Sequence, residues 1–290
     1  MKRWAVIYNP VAGGFRPRRL RAIVRELAAR GIAAQPLPTG RRGHATEMCR
    51  EISGVDTVAV YGGDGTLNEA ANGLLGRDLP LAFLPGGTAN VMAHELGLPG
   101  NPARAAGLLA GGQARPVHPG TVSGRAFLLM AGFGFDAAAV HGVSPALKSA
   151  AGRLAYVWAA LRALAAAPAD LRLTLDGAAI PGGAWVIASR SAHYAGPFVL
   201  DHAAGLERPD LSVVVVPRRG ILPFLAANLA LGARTPWGGA RILHGRRLLV
   251  ESAAPAPAQV DGDASGASRA FTVEIATQVL WLRFPTSAQM

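Results

Sequence analysis

The glycine-rich turn Gly62 to Gly65 contains the residues of this sequence that are best suited to chemistry. It reads Gly-Gly-Asp-Gly and follows the apolar, β-branched run Thr57 to Tyr61. After the turn, Asn68 to Leu75 contains helix formers with leucines at suitable spacing, so this region predicts a strand, a turn and a helix. Backbone N–H groups at the start of such a helix attract anions, and glycine lets a phosphate approach where a Cβ would clash. The turn therefore predicts a phosphate-binding site.

Asp64 and a second glycine turn extend this prediction to a nucleotide. A carboxylate that faces phosphates repels them unless a cation such as Mg²⁺ lies between them, or unless a proton has to be moved. The second turn, Pro85 to Gly87, ends the apolar run Leu81 to Leu84, and Thr88 and Asn90 follow it. A single glycine pair is common between a strand and a helix, but two such turns together with Asp64 favour nucleotide binding.

The elements that position these turns follow from the hydrophobic pattern. Residues 1 to about 120 alternate between strand-like and helix-like runs, which is typical of an α/β domain with a largely parallel sheet. These runs are Trp4 to Tyr8, Pro17 to Arg30, Ala34 to Leu37, Gly43 to Ile52 and Thr57 to Tyr61. Beyond Pro119 the runs are of β type: Ala126 to Ala131, Leu171 to Leu175, Ala184 to Ser189, Leu211 to Val216, Arg247 to Glu251, Phe271 to Ile275 and Val279 to Phe284.

The chain of 290 residues is long enough for two domains. We predict an α/β N-terminal domain over 1–121 and a β-rich C-terminal domain, of the β-sandwich type, over 122–290. Helical runs interrupt the second domain at about 144–167 and 220–233, and Ala253 to Ala258 is predicted to be a loop because it alternates alanine with proline.

The two glycine turns resemble those of the diacylglycerol kinase catalytic-domain family, which includes bacterial lipid kinases and sphingosine kinases. That family has a Gly-Gly-Asp-Gly-Thr-x-Asn-Glu block followed by Pro-x-Gly-Thr-x-Asn, and both occur here in that order, from Gly62 to Glu69 and from Pro85 to Asn90. The resemblance extends to Asn9 to Gly14, to Ala131 to Ala137 and to Asp261-Gly262-Asp263, so it covers nearly the whole chain.

The resemblance implies a first domain like that of NAD kinases and phosphofructokinases, which binds ATP, and a second domain that binds lipid. It implies transfer of the γ-phosphate of ATP, with Mg²⁺, to a hydroxyl of a lipid such as diacylglycerol or a sphingoid or ceramide-type lipid. Asp64 would orient the Mg²⁺ of the nucleotide, and Thr39 is included because it follows the second strand. The residues implied for ATP binding are Asn9, Thr39, Gly62, Gly63, Asp64, Gly65, Thr66, Leu67, Asn68, Gly87, Thr88 and Asn90.

Two departures from the family pattern concern catalysis and metal binding. The resemblance implies a glutamate acting as general base where this chain has Asp263. The shorter aspartate sets its oxygens about one bond length back, and a misplacement of that size can lower the rate about 10²-fold. An acidic-glycine loop that contributes to a structural Mg²⁺ site in relatives reads Leu206 to Leu211 here, with Arg208 or Pro209 where an acid is expected. Asp210 is the candidate ligand that remains.

Composition and charge set the remaining expectations. The single Cys49 excludes an intrachain disulfide and suits a reducing compartment. The N-terminal apolar run is too short for a signal peptide, and Leu154 to Ala167 and Ile221 to Gly232 are too short to span a membrane. We therefore expect a cytoplasmic protein. The net charge of +11 favours peripheral contact with anionic lipid headgroups over nucleic acid, because the basic residues are not interleaved with aromatic ones.

Three functions remain open from the sequence. The first is a lipid kinase. The second is a kinase of a soluble nucleotide, because the Gly-Gly-Asp-Gly-Thr block also occurs in NAD kinases. The third is a nucleotide-binding protein that has lost catalysis, for which Asp263 and Arg208 are the motivation. The lipid that is phosphorylated and the oligomeric state cannot be read from the sequence.

Overall fold

A computed structural model describes residues 1–135, 137–138, 171–217 and 240–286 of the chain. The chain divides into two compact units, one formed by Met1–Pro119 with the C-terminal segment from Thr277, and the other by Gly120–Ala276. The first unit holds a mostly parallel sheet with helices, and the second holds antiparallel strands. The predicted fold class, an α/β N-terminal domain followed by a β-rich region, is confirmed.

The sheet of the first unit has six strands in the order β2-β1-β3-β4-β18-β5. They are β1 (Lys2–Tyr8), β2 (Ile32–Pro38), β3 (Thr57–Gly62), β4 (Leu81–Pro85), β5 (Gln113–Val117) and β18 (Leu280–Phe284). Strands β1 to β4 pair in parallel, and only β5 runs antiparallel to its neighbour. All residues of β3 and β4 are buried, as expected for the central strands of a sheet that is covered on both faces.

Five helices of the first unit connect these strands: α1 (Pro17–Ala28), α2 (His44–Glu51), α3 (Asp64–Leu74), α4 (Val91–Glu95) and α5 (Pro102–Gly111). Helix α1 begins with a proline and buries Ile23 and Leu27, which lie four residues apart on one face, while its arginines lie outside. Helix α5 also begins with a proline, and the side chain of Asn101 accepts a hydrogen bond from the N–H of Ala103 at 3.0 Å.

The second unit contains β6 (Gly120–Val122), β7 (Arg125–Phe127), β8 (Met130–Gly134), β9 (Leu171–Leu175), β10 (Ala178–Gly183), β11 (Trp185–Ser189), β12 (His193–Tyr194), β13 (Phe198–Val199), β14 (Leu211–Val216), β15 (Arg241–Gly245), β16 (Arg247–Val260) and β17 (Asp263–Ile275). Its large sheet has the order β15-β14-β11-β8-β16-β17-β6-β7, with β9 and β10 attached to β16, and β12 pairs only with β13. Its core is made of alternate apolar residues of these strands, among them Phe133, Val186, Val213 and Phe271.

The structure differs from the sequence prediction in two places. The predicted second domain ran to residue 290, but β18 pairs with β4 and β5 and so returns the chain to the first sheet. The segment Ala253 to Ala258 is not a loop but part of the 14-residue strand β16, where register shifts against β17 accommodate the two prolines.

Several predictions fall on residues outside the described ranges. These are the helices at 144–167 and 220–233, the apolar segments 154–167 and 221–232, and Asp136 of the segment Ala131 to Ala137, which carries part of the family resemblance. Within the described residues, no helix is both long and apolar enough to cross a bilayer.

Candidate functional site

Four loops meet at one edge of the first sheet. Strands β1 to β4 are adjacent and parallel, so the segments that follow them lie at the same edge, as is usual for ligand sites in such sheets. The predicted residues found there are Asn9 after β1, Thr39 after β2, Gly62 to Thr66 at the end of β3 and the start of α3, and Gly87, Thr88 and Asn90 after β4. The N–H of Gly86 donates to the carbonyl of Gly62 at 2.8 Å, which ties the last two loops together.

Four glycines of these loops form two contrasting pairs. In the first pair, backbone meets backbone: a Cβ on Gly14 would lie 1.9 Å from the carbonyl oxygen of Gly86, and one on Gly87 would lie 2.6 Å from the Cα of Gly63. In the second pair, Gly13 and Gly65, a Cβ would meet nothing within 4 Å. We call the first pair, Gly14 and Gly87, the packing glycines and the second pair, Gly13 and Gly65, the open glycines. The open glycines therefore have free space on the side where a Cβ would project.

Asp64 connects the turn after β3 to the helix after β4. Its two carboxylate oxygens accept hydrogen bonds from the N–H groups of Val91 and Met92, each at 3.1 Å, at the start of α4. Burial raises the pKa of Asp64 above its ordinary value, while these backbone hydrogen bonds act in the opposite direction. The sequence placed Asp64 in the site but did not reveal this bond across 27 residues.

The Asp64 carboxylate remains suited to a nucleotide-borne Mg²⁺. An ionised carboxylate has about four lone-pair sites, more than the backbone N–H groups of Val91, Met92 and Asp64 occupy. Mg²⁺ is commonly held by one or two carboxylates together with substrate phosphates and water, so a single acid is sufficient. In the described part of the chain, no group of three or more His, Cys, Asp or Glu side chains is arranged to hold a metal by itself.

Aromatic side chains hold the loop after β1, a feature that sequence reasoning missed. The ring of Phe15 stacks on Tyr8 with centroids 5.3 Å apart and also contacts the ring of Tyr61. The Tyr61 hydroxyl accepts from the N–H of Arg16 at 3.2 Å and donates to the carbonyl of Gly14 at 3.4 Å. Asn9 stabilises the same loop, because its side-chain oxygen accepts from the N–H of Val11.

Two polar residues of the motifs shape the loops. The carboxylate of Glu69 accepts from the N–H of Gly43 at 2.9 Å and from that of Ala45 at 3.3 Å, so it fixes the loop between Thr39 and α2. Asn90 adopts a left-handed backbone conformation, φ 48°, and its amide both accepts from and donates to the backbone of Gly87. These contacts organise the edge where a phosphate would bind.

The predicted ATP-binding residues are not equally placed. Thr88 is exposed and Asn9 and Thr66 are partly exposed, whereas the side chains of Leu67 and Asn68 are buried, at 1% and 2% exposure. Leu67 faces the core of the first unit, and the amide of Asn72 donates to the Asn68 side chain. The structure therefore does not bring the side chains of Leu67 and Asn68 to the loop surface.

Asp263 lies in the second unit, at the start of β17. The preceding loop, Asp261-Gly262, has positive φ at both residues, as in a tight hairpin turn. The Asp261 carboxylate accepts from three consecutive N–H groups, those of Leu128, Leu129 and Met130, at 2.8–2.9 Å. Asp263 itself forms an ion pair with Arg125 at 3.3 Å, and both side chains are about one-third exposed. The hydrogen bonds of Asp261 therefore anchor the turn that immediately precedes Asp263.

Asp210 does not fit the predicted role of metal ligand. Both of its carboxylate oxygens accept from the guanidinium of Arg208, each at 2.9 Å. This contact lowers the pKa of Asp210 more than any other, and His244 contributes in the same direction. Because the cation of Arg208 already occupies the carboxylate, Asp210 is poorly suited to bind a metal ion.

Comparison with known proteins agrees with the geometry of the first unit. A family model for the diacylglycerol kinase catalytic domain matches residues 3–122, which include all four loops. A diacylglycerol kinase of Bacillus subtilis (strain 168) is 32% identical over 189 residues, which are 63% of this chain and 62% of that protein. A probable YegS-like lipid kinase of Pseudomonas aeruginosa (strain UCBPP-PA14) is 39% identical over 156 residues, which are 52% of this chain and 50% of the relative. The chain thus spans about half to three fifths of the length of these relatives.

Solved structures match nearly the whole chain. A candidate diacylglycerol kinase from Bacillus anthracis str. Sterne superimposes with a TM-score of 0.80 at 25% identity, over 99% of this chain and 98% of that one. A diacylglycerol kinase from the same organism gives a TM-score of 0.76 at 22% identity, over 99% and 98% of the two chains, which shows a shared fold. In sequence, the similarity to the diacylglycerol kinase catalytic domain therefore lies in the segment 3–122, while the similarity in fold extends over nearly the whole chain.

Proposed function

We propose that this protein is a lipid kinase that transfers the γ-phosphate of ATP to a lipid hydroxyl. The observation that carries the proposal is the meeting of four loops, with Asp64 and the open glycines, at one edge of the parallel sheet inside the segment that matches the kinase family. The names of the relatives support diacylglycerol or a related lipid as the acceptor.

The loop residues of the first unit are proposed to bind the nucleotide. Exposed backbone at Gly13 and Gly65 can approach phosphate oxygens, and the hydroxyls of Thr66 and Thr88 can donate to them. Asp64 would hold the Mg²⁺ that accompanies ATP, and this ion supplies neutralisation of the charge on the phosphates. Because α4 amides already orient the Asp64 carboxylate, the site needs little reorganisation to receive the ion.

Asp263 is proposed as the general base. Its carboxylate would accept the proton of the lipid hydroxyl, whose oxygen forms the new bond to phosphorus while ADP leaves. Asp261 fixes the hairpin that carries Asp263 through its three backbone contacts, and Arg125 orients the carboxylate. The acceptor would be taken from a membrane surface, to which the net charge of +11 would attract the protein when the lipids are anionic.

The test is transfer of radiolabelled γ-phosphate to a panel of acceptors. Diacylglycerol, ceramide, a sphingoid base and a glycolipid are dispersed in detergent, with NAD as the soluble acceptor, and Mg²⁺ is present. Asp64→Asn and Asp263→Ala should each lose at least about 10²-fold in rate. Asp78→Asn is the control, because its exposed carboxylate accepts a hydrogen bond from Nε1 of Trp281 and the amide oxygen of asparagine can still accept that bond.

Each result has a defined meaning. Labelled lipid that both variants lose supports the proposal and names the class of acceptor. Label on NAD alone would contradict it in favour of a soluble-substrate kinase. ATP binding without any labelled product would show that catalysis has been lost. Asp263→Glu, which restores the longer side chain, should raise the rate if the shorter aspartate limits it.

A further inference from the structure

A buried arginine lies where the loop between β13 and β14 would otherwise expose carbonyl groups to the interior of the second unit. Arg190 is only 1% exposed, and it is among the largest fully buried side chains in the described residues. Its guanidinium donates to the backbone carbonyls of Leu206, Arg208 and Asp210, the first of these at 2.9 Å. Three inward-facing carbonyls that converge on one positive charge form the same kind of oxygen cradle that holds a structural cation.

The segment that carries Arg190 is itself rigid. The N–H of Arg190 donates to the carbonyl of Leu129 at 2.8 Å. The hydroxyl oxygen of Ser189 lies 3.1 Å from the carbonyl oxygen of Leu129 and 2.7 Å from that of Ser191, so its single proton can be donated to either, and it accepts from the N–H of Ser191. The guanidinium is therefore presented from a fixed backbone, so holding it in the cradle costs less side-chain entropy than holding a free arginine.

The outer side of the loop is closed by a second set of charges. Arg208 binds the carboxylate of Asp210, and the two ring nitrogens of His244 lie 3.5 Å from Asp210 and 3.2 Å from Asp201. Asp201 also accepts from the hydroxyl of Ser212 at 2.7 Å. The acids of this loop are thus already matched to cationic or donor side chains, which leaves Asp201 and Asp210 poorly suited to a metal ion.

We propose that the guanidinium of Arg190 is the structural cation of the loop 206–210, so that this loop keeps its shape without a bound metal ion. The chain replaces an exchangeable ion by a covalently attached one. The proposal does not depend on the kinase activity, since it concerns only the second unit. It also explains why Arg208, a poor neighbour for a metal, is tolerated in this loop.

The test compares thermal unfolding of the full chain with and without divalent ions. In the wild type, EDTA and 5 mM Mg²⁺ should give melting temperatures within about 1 °C of each other when no nucleotide is present. Arg190→Ala should lower Tm by about 5–10 °C, because the carbonyls of Leu206, Arg208 and Asp210 lose their donor. Arg269→Ala is the matched control, since it removes an exposed arginine of the same unit, and it should leave Tm nearly unchanged.

Chemical rescue tests the cation site directly. Guanidinium chloride at about 20 mM, well below denaturing concentrations, should raise the Tm of Arg190→Ala by about 1–3 °C through binding to the empty cradle, and sodium chloride or urea should not. Wild type and Arg269→Ala should show no such gain. If Arg190→Ala does not fold, Arg190→Lys serves in its place for the comparison of Tm, because it keeps the charge but cannot span three carbonyls.

Three results would overturn the proposal. One is a fall in the Tm of the wild type on addition of EDTA that Mg²⁺ reverses. Another is an Arg190 variant whose Tm equals that of Arg269→Ala. The third is a destabilised Arg190→Ala that gains as much from sodium chloride as from guanidinium. A metal-independent wild type, a destabilised variant and a selective gain from guanidinium together would establish it.

Discussion

Replacing one packing glycine should distinguish the packing of the loops after β1 and β4 from the contacts that these loops make with a ligand. In Gly14→Ala, the new Cβ would lie 1.9 Å from the carbonyl oxygen of Gly86, a distance that real Cβ atoms do not show. Both sides of this contact are backbone, so the loop after β1 or the loop after β4 has to move by about 1 Å. Gly13→Ala is the matched control, because its Cβ would meet nothing within 4 Å.

The expected size of the effect follows from that displacement. Overpacking of this kind costs about 1–3 kcal/mol, and a clash between two backbones belongs at the upper end of that range. A loss of about 3 kcal/mol lowers Tm by about 6–12 °C in a unit of this size. Because these loops are proposed to bind phosphate, a displacement of about 1 Å should also reduce the rate of phosphoryl transfer by about 10²-fold.

Thermal unfolding and an ATP-binding titration on the two variants check this reasoning. Gly14→Ala should melt well below wild type and bind ATP weakly, while Gly13→Ala should keep the wild-type Tm. A Gly14→Ala protein that melts within about 1 °C of Gly13→Ala would show that the loops are not packed as described. Equal loss of ATP binding in both variants would instead show that ligand contact, rather than loop packing, decides the affinity.

Three further predictions concern single residues of the first unit. Gly65→Ala should leave Tm unchanged or slightly higher, because its Cβ meets nothing and alanine favours a helix by up to about 1 kcal/mol, yet it should weaken ATP binding in a titration. Because the pKa of Asp64 is raised in the folded protein, its ionised carboxylate disfavours folding, and the free energy of unfolding should fall as pH rises above the unfolded pKa of 3.8. In urea unfolding at several pH values, Asp64→Asn should lack this part of the pH dependence. A pH profile identical to that of the wild type would contradict the raised pKa of Asp64. Burial raises the pKa of Cys49 to about 12, so a thiol reagent at pH 8 should label the native protein at least about 10²-fold more slowly than the urea-unfolded one, and similar rates would show that Cys49 is accessible.

The common edge of the loops after β1, β3 and β4 could be predicted from sequence because its signals are local. Strands β1, β3 and β4 are short apolar runs that end in glycine turns, and the ends of adjacent parallel strands must share an edge. The bond between Asp64 and α4 could not be predicted, because it joins residues 27 positions apart and depends on how the two loops pack. The role of Glu69 was missed for the same reason.

The second half of the chain was predicted less well, for physical reasons that particular segments show. The apolar pattern of Leu280 to Phe284 predicts a strand but does not identify the strands that it pairs with, so its place in the first sheet could not be predicted. The prolines at 255 and 257 normally argue against a strand, but register shifts in β16 tolerate them. The burial of Arg190 could not be predicted either, because an isolated arginine in a sequence is ordinarily exposed.

The packing glycines affect what the presence of a glycine motif in a homologue says about its activity. Gly14 and Gly87 are required because one loop backbone lies against another, and this requirement holds whether or not a phosphate ever binds. A descendant that lost its enzymatic activity would still be under selection to keep these two glycines for folding. Drift after loss of function should therefore appear first at Gly13 and Gly65, where an added Cβ meets nothing within 4 Å, and at the exposed Thr88. These positions are the ones to inspect when a homologue is assessed for activity.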